Sequence, residues 1–167
     1  MAAPFLIAGM CTATFNGIDI GLTAKGFSFH AKMHSDPIHG DMGGSTPLDE
    51  IEMGGEVEVT LDSIEYDKMI AVVAATAGAD NPVWSGTPMD NVGKLLSNRA
   101  KALILTPVAG RGATKRLTAT KAVCTSDIEF MMNNGLKQGP VTFKLLPDTS
   151  LVGADYGRTH KWDVVVV

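Results

Sequence analysis

Apolar and polar residues alternate one by one along several stretches of the chain, the signature of half-buried β-strands. From Gly26 to His34, Phe27, Phe29, Ala31 and Met33 fall on one side, and Ser28, His30, Lys32 and His34 on the other. From Gly54 to Ile64, Val57, Val59 and Leu61 oppose Glu56, Glu58, Thr60 and Asp62. Met10 to Phe15 reads as an earlier strand, ended by the strong turn pair Asn16-Gly17. Later strands are predicted at Lys101–Thr106, Arg116–Val123, Asp127–Met132 and Pro140–Leu146, with a turn at Asn134-Gly135. The period changes after Glu65. Tyr66, Met69, Ile70, Val73 and Ala74 recur at helical spacing, and Gly78 is a natural stop. Two stretches read as long loops, Ser35–Pro47 and Ala79–Ser97, rich in Gly, Pro, Asp and Ser. The predicted fold is mainly β: two packed antiparallel sheets, as a sandwich or barrel, with one flanking α-helix. Residues 1–167 form a single domain, with an N-terminal arm over 1–9 and a C-terminal arm over 148–167. The closing run Val164–Val167 is β-branched and invites aggregation unless a partner covers it.

Composition narrows the function. The chain has 167 residues, 45% of them hydrophobic and 19% charged, so it can fill a core and has few charges to spread over its surface. Such a balance in a small domain points to surface hidden at a subunit contact. The longest early apolar run, Pro4–Cys11, is far short of the roughly 20 residues that cross a bilayer. No membrane partner is expected. Cys11 and Cys124 are too few for a disulfide framework or a four-thiolate zinc site.

The formal net charge is −4, but it is unevenly placed. Residues 1–67 hold two bases, Lys25 and Lys32, against eleven acids; residues 68–167 hold twelve bases against seven acids. No Lys or Arg occurs between Met33 and Asp67. No acid occurs between Asn91 and Ser126, a span with Lys94, Arg99, Lys101, Arg111, Lys115, Arg116 and Lys121. Two solvated faces of opposite sign are one explanation. The other is a head-to-tail contact in which one subunit's acids meet the next one's basic block.

No catalytic or cofactor site is expected. Gly110-Arg-Gly-Ala-Thr-Lys115 lacks the spacing of a phosphate-binding P-loop and reads as a basic turn. His34, Asp36, His39 and Asp41 could offer ligands to a divalent ion, but their spacing fits no strong metal motif. Cys124 continues an apolar strand, so neither cysteine lies in a nucleophile's setting. Glu56 and Glu58 share a strand face, where two neighbouring carboxylates more often face water than flank a substrate.

Taken in order, several segments resemble the tail tube (major tail) proteins of tailed bacteriophages. They are Phe15-Asn-Gly-Ile-Asp-Ile-Gly-Leu22, Gly26-Phe-Ser-Phe29, the long connection into Pro47-Leu-Asp-Glu50, and Gly55-Glu-Val-Glu-Val-Thr-Leu61 with its following helix. Ala102-Leu-Ile-Leu-Thr-Pro107, Pro140-Val-Thr-Phe143 and Leu146-Pro-Asp148 complete the likeness, which covers most of the chain. The resemblance implies a structural subunit, not an enzyme, that forms hexameric rings stacked into a hollow tube for DNA. Its partners are itself, the tape measure and terminator proteins of the tail, a sheath where there is one, and DNA that passes without specific binding. Its place is the virion tail, after assembly in the host cytoplasm.

In that family four strands from each subunit build an inner barrel, and the loop between the second and third strands touches the next ring. That loop corresponds here to Ser35–Gly54, with Ile38, Met42, Leu48, Ile51 and Met53 as its apolar contacts. The lumen-lining face is then Glu56, Glu58, Thr60 and Asp62, since an acidic wall repels phosphate. Crowding those carboxylates around one bore is expected to raise their pKa values. A type VI secretion or bacteriocin tube protein resembles the same ring fold. A monomeric small-ligand β-barrel is the alternative from another class.

Overall fold

The computed structural model describes residues 11–22, 26–39, 46–65, 68, 72, 93, 95–108, 115–125 and 138–164. Among the described residues there are eight strands: β1 (Cys11–Phe15), β2 (Ile18–Leu22), β3 (Phe27–His39), β4 (Pro47–Glu65), β5 (Lys101–Pro107), β6 (Lys115–Cys124), β7 (Gln138–Leu145) and β8 (Lys161–Val164). They pair antiparallel in the order β2-β1-β5-β6-β7-β4-β3, with β8 also on β6. The β1–β2 turn is the Asn16-Gly17 pair, with φ of 51° and 77°, the double positive φ that a two-residue hairpin turn requires.

The chain is mainly β, as the alternation implies, but its strands form one continuous sheet rather than two separate ones, and the sheet is not closed into a barrel. The reason lies in β6. One of its edges pairs with β5. The other pairs with β8 along Lys115–Thr118 and with β7 along Ala122–Cys124. A single ten-residue strand therefore carries two branches.

The sheet folds over its own apolar side. Phe15 on β1 and Phe143 on β7 are three pairings apart, about 14 Å in a flat sheet. Their ring centroids are 5.0 Å apart, and both side chains are fully buried. Phe29 on β3 meets Trp162 on β8 at 5.5 Å in the same way. Between them lie Ile20, Val59, Leu61, Leu103, Leu105, Leu117 and Val141. Each such side chain contributes roughly 1.5–3 kcal/mol when fully buried.

The segment after β7 is pinned across the fork. Leu146 N–H donates to the Lys121 carbonyl at 2.8 Å, and Asp148 bridges to Arg158. The buried Asp148 carboxylate accepts from the Ser150 hydroxyl at 2.6 Å, the Ser150 amide at 3.0 Å and Lys121 Nζ at 3.0 Å. Those hydrogen bonds, Ser150's foremost, hold Asp148 well below the usual carboxylate range.

Part of the tail expected as an arm, Lys161–Val164, pairs with β6 as β8, with Val164 opposite Lys115, and Trp162 packs against the core. Of the expected helix, only Lys68 and Val72 are described, both in helical conformation. Its other residues lie outside the described set, as do the expected strand 127–132, the arm 1–9 and Val165–Val167.

Candidate subunit interface

Of the stretch expected as a loop over Ser35–Gly54, the described residues are instead paired strand, the outer parts of β3 and β4. Ala31, Val57, Leu145, Ala122 and Lys101 form one row across the sheet. Beyond that row β7 ends and, among the described residues, β4 keeps only β3 as a paired neighbour. The run from Ala31 to His39 spans roughly 27 Å at about 3.4 Å per residue. The local composition, rich in Gly, Pro and Asp, favours a loop; pairing across the hairpin overrides that local preference.

Glycines set its root. Gly55 sits opposite Met33, and a Cβ there would lie 2.8 Å from the Lys32 carbonyl oxygen. Gly54 has φ of 100°, a conformation that favours glycine, and stands beside a register shift between His34 and Ser35. After the shift Ser35 faces Glu52, Asp36 faces Ile51, Pro37 faces Glu50 and Ile38 faces Asp49. The Ser35 hydroxyl donates to Glu50 Oε2 at 2.6 Å.

The arm is exposed throughout its described length. Met33, Leu48 and Met53 are 65–69% exposed, and Ile38 and Ile51 are also exposed. A two-stranded hairpin is marginal alone in water, so an arm this long and this apolar calls for a partner surface. Of the residues expected to contact a neighbour, Ile38, Leu48, Ile51 and Met53 are on the arm, and Met42 lies outside the described residues. At the root an open groove of about 430 Å³ lies between Ala31, Met33 and Val57 of the hairpin and Pro147, Gly157 and Thr159.

The wet face of β4 alternates as expected. Val59 and Leu61 are buried, while Glu56, Glu58 and Thr60 lie half-buried on the opposite side. Asp62 is in β4, but its side chain lies outside the described residues. That face is not purely acidic. Lys144 Nζ meets Glu56 Oε2 at 3.0 Å and His34 Nε2 meets Glu56 Oε1 at 3.3 Å. Lys144 and His30 are the cross-strand neighbours of Glu58, and Lys32 is that of Glu56. Thr60 and Thr142 share a hydroxyl–hydroxyl bond at 3.0 Å. The Lys144 hydrogen bond and charge pull Glu56 below its ordinary pKa, and Glu56 raises Lys144 in return. Within one subunit Glu56 is thus held below its ordinary value; the expected rise concerns carboxylates of several copies gathered around one bore. The missing signal was Lys144, distant in sequence and brought in by β7.

The described residues of the expected basic block lie on β5, on β6 and in the turn before β5. Lys121 turns to Asp148, and Arg116 meets Asp163 at 3.7 Å. Lys115 and Arg116 begin β6, whereas Arg99 and Lys101 precede and open β5. Lys94 and Arg111 lie outside the described residues. His34 pairs with a carboxylate, and Asp36 and His39 lie along the arm; Asp41 is outside the described residues. Among the described residues, no group of three or more His, Cys, Asp or Glu is placed to hold a metal ion. Cys11 is buried and Cys124 half-buried. Among the described residues no helix is long and apolar enough to cross a membrane. No protein-family model matches the chain, and no curated protein is significantly similar to it.

Proposed function

We propose that the chain is a structural subunit of a phage tail tube, assembling into hexameric rings that stack around a DNA-conducting bore. The observation that carries this proposal is the β3–β4 arm, which runs out beyond the row through Val57 with its apolar side chains in water. Such a feature is a liability in a monomer and an asset in a polymer of identical subunits. Among the described residues the pairing order also ends in the two strands β2 and β3, edges that a neighbouring copy could complete.

In this assembly the folded-over sheet forms the wall, and the wet face of β4 with Glu56, Glu58 and Thr60 lines the bore. Lys144, Lys32 and His30 temper its negative charge, so DNA meets a weakly charged polar wall rather than a basic one that grips phosphate. Tape measure, terminator and sheath proteins are the further partners of such a tube. Secretion and bacteriocin tubes would use the same subunit architecture. Sedimentation velocity across a wide concentration range tests the proposal. Growth into large, concentration-dependent polymers supports it, and a single monomeric species throughout contradicts it.

A further inference from the structure

We propose that His160 makes β8 a pH-operated latch: protonation of its imidazole releases β8 and uncovers the edge of β6 along Lys115–Thr118. The inference stands apart from the tube assignment. β8 is four residues long and, among the described residues, pairs only with β6, where Lys115, Arg116, Leu117 and Thr118 face Val164, Asp163, Trp162 and Lys161. So short a strand depends on its side chains to stay in place.

An aromatic cluster holds it there. His160, at the entry to β8, meets Phe29 of β3 with ring centroids 5.0 Å apart and Trp162 at 6.1 Å, and Phe29 meets Trp162 at 5.5 Å. β3 ends the pairing order and is not paired with β8, so the three rings tie that end of the sheet to the branch on β6. The imidazole is half-buried, and its Nδ1 shares a hydrogen bond of 2.9 Å with the Thr159 hydroxyl.

The surroundings suit a neutral ring better than a charged one. On β3 the residues that share the face of Phe29 are Phe27 and Ala31, with Ser28 and His30 on the opposite face; on β4 the residue paired with Phe29 is Val59. His160 also lines a cavity of about 180 Å³, to which β6 contributes Thr118 and Thr120 and the chain before β8 contributes Asp155 and Arg158, with Lys161 at its start. Asp155 is paired with Arg158, and Asp163 meets Lys161 at 2.9 Å and Arg116 at 3.7 Å, so each of these carboxylates already has its cation. Burial first, and the Arg158 charge second, hold the imidazole below its ordinary pKa. Attraction of an imidazolium to the aromatic faces acts the other way and does not win. Once β8 is released, the ring takes up its proton near the ordinary imidazole value of about 6.5. While packed, it does so only at lower pH. Opening is therefore rarest above about pH 6.5, grows by up to about tenfold per pH unit below it, and levels off once the packed ring is protonated too.

Amide hydrogen exchange of the dilute full-length chain, corrected for the intrinsic effect of pH on exchange, tests the latch between about pH 7.5 and 5.5. The expected result is that protection of the β8 amides, and of the β6 amides that face them, falls by up to about tenfold per pH unit below about pH 6.5. Leu103 and Leu105 on β5 should keep theirs. His160→Phe retains an aromatic ring without the proton site, so the fall should vanish. Arg158→Gln retains the imidazole and removes the neighbouring charge; it should move the His160 titration, followed by NMR of the ring protons, to higher pH and make the fall shallower. That variant and the wild-type titration decide the matter if His160→Phe does not fold. Protection of β8 that ignores pH, a fall that persists in His160→Phe, or a wild-type His160 that titrates at or above about pH 6.5 overturns the latch. None of these readouts depends on whether the chain forms tubes.

Discussion

Phe15 and Phe143 should be energetically coupled, although three strand pairings separate them. In a flat sheet their backbones stand about 14 Å apart, beyond useful contact. In the folded-over sheet their ring centroids are 5.0 Å apart with a 41° tilt, and neither ring sees solvent. Replacing either by Leu keeps the site apolar and removes the ring. Each single change should cost about 1–2 kcal/mol through lost buried surface and the small void left behind. Because an aromatic pair adds about 0.5–1.5 kcal/mol beyond its area, the double variant should cost less than the sum of the singles by that amount. Urea unfolding followed by fluorescence reads this directly. With a slope of about 2 kcal/mol per molar, each single variant shifts the midpoint by about 0.5–1 M. Additivity within about 0.3 kcal/mol would refute the folded-over arrangement, since uncoupled rings are what a flat sheet gives.

Other outcomes follow from the arm and the ion pairs. Gly55→Ala should destabilise by about 1–3 kcal/mol, because the new methyl meets the Lys32 carbonyl at 2.8 Å, and thermal unfolding checks it. Ile38→Ser with Ile51→Ser should abolish polymer growth while leaving the monomer's stability within about 0.5 kcal/mol, as both side chains are exposed. Glu56, Asp148 and Asp163 all sit below their ordinary pKa values, so the unfolded chain takes up protons first as the solution acidifies. Their contribution is therefore complete above about pH 5 and is lost as pH falls through about 4 and below. A pH series of unfolding midpoints should show that decline, and Lys144→Met should make it shallower by removing the main cause of the Glu56 shift.

The strands with strict alternation were legible in the sequence. Val57, Val59 and Leu61 against Glu56, Glu58 and Thr60 gave the face of β4 without reference to any neighbour. The Asn16-Gly17 turn was equally plain, because two adjacent positive φ values demand such residues. What stayed hidden was set by distant partners. The fork at β6 depends on β7 and β8 arriving on the same edge, which no local pattern encodes. The arm read as a loop because its pairing comes from register rather than propensity, and its two register shifts break the alternation that would reveal it. The balance of charge on the wet face was invisible for the same reason: Lys144 reaches Glu56 only after β7 is placed beside β4.

Electron microscopy of the purified full-length chain at high concentration tests the central claim most directly. A tube subunit gives rings of one diameter and hollow tubes of uniform width, with sixfold symmetry in end views. Isolated particles of monomer size at every concentration and salt, with neither rings nor tubes, would contradict it.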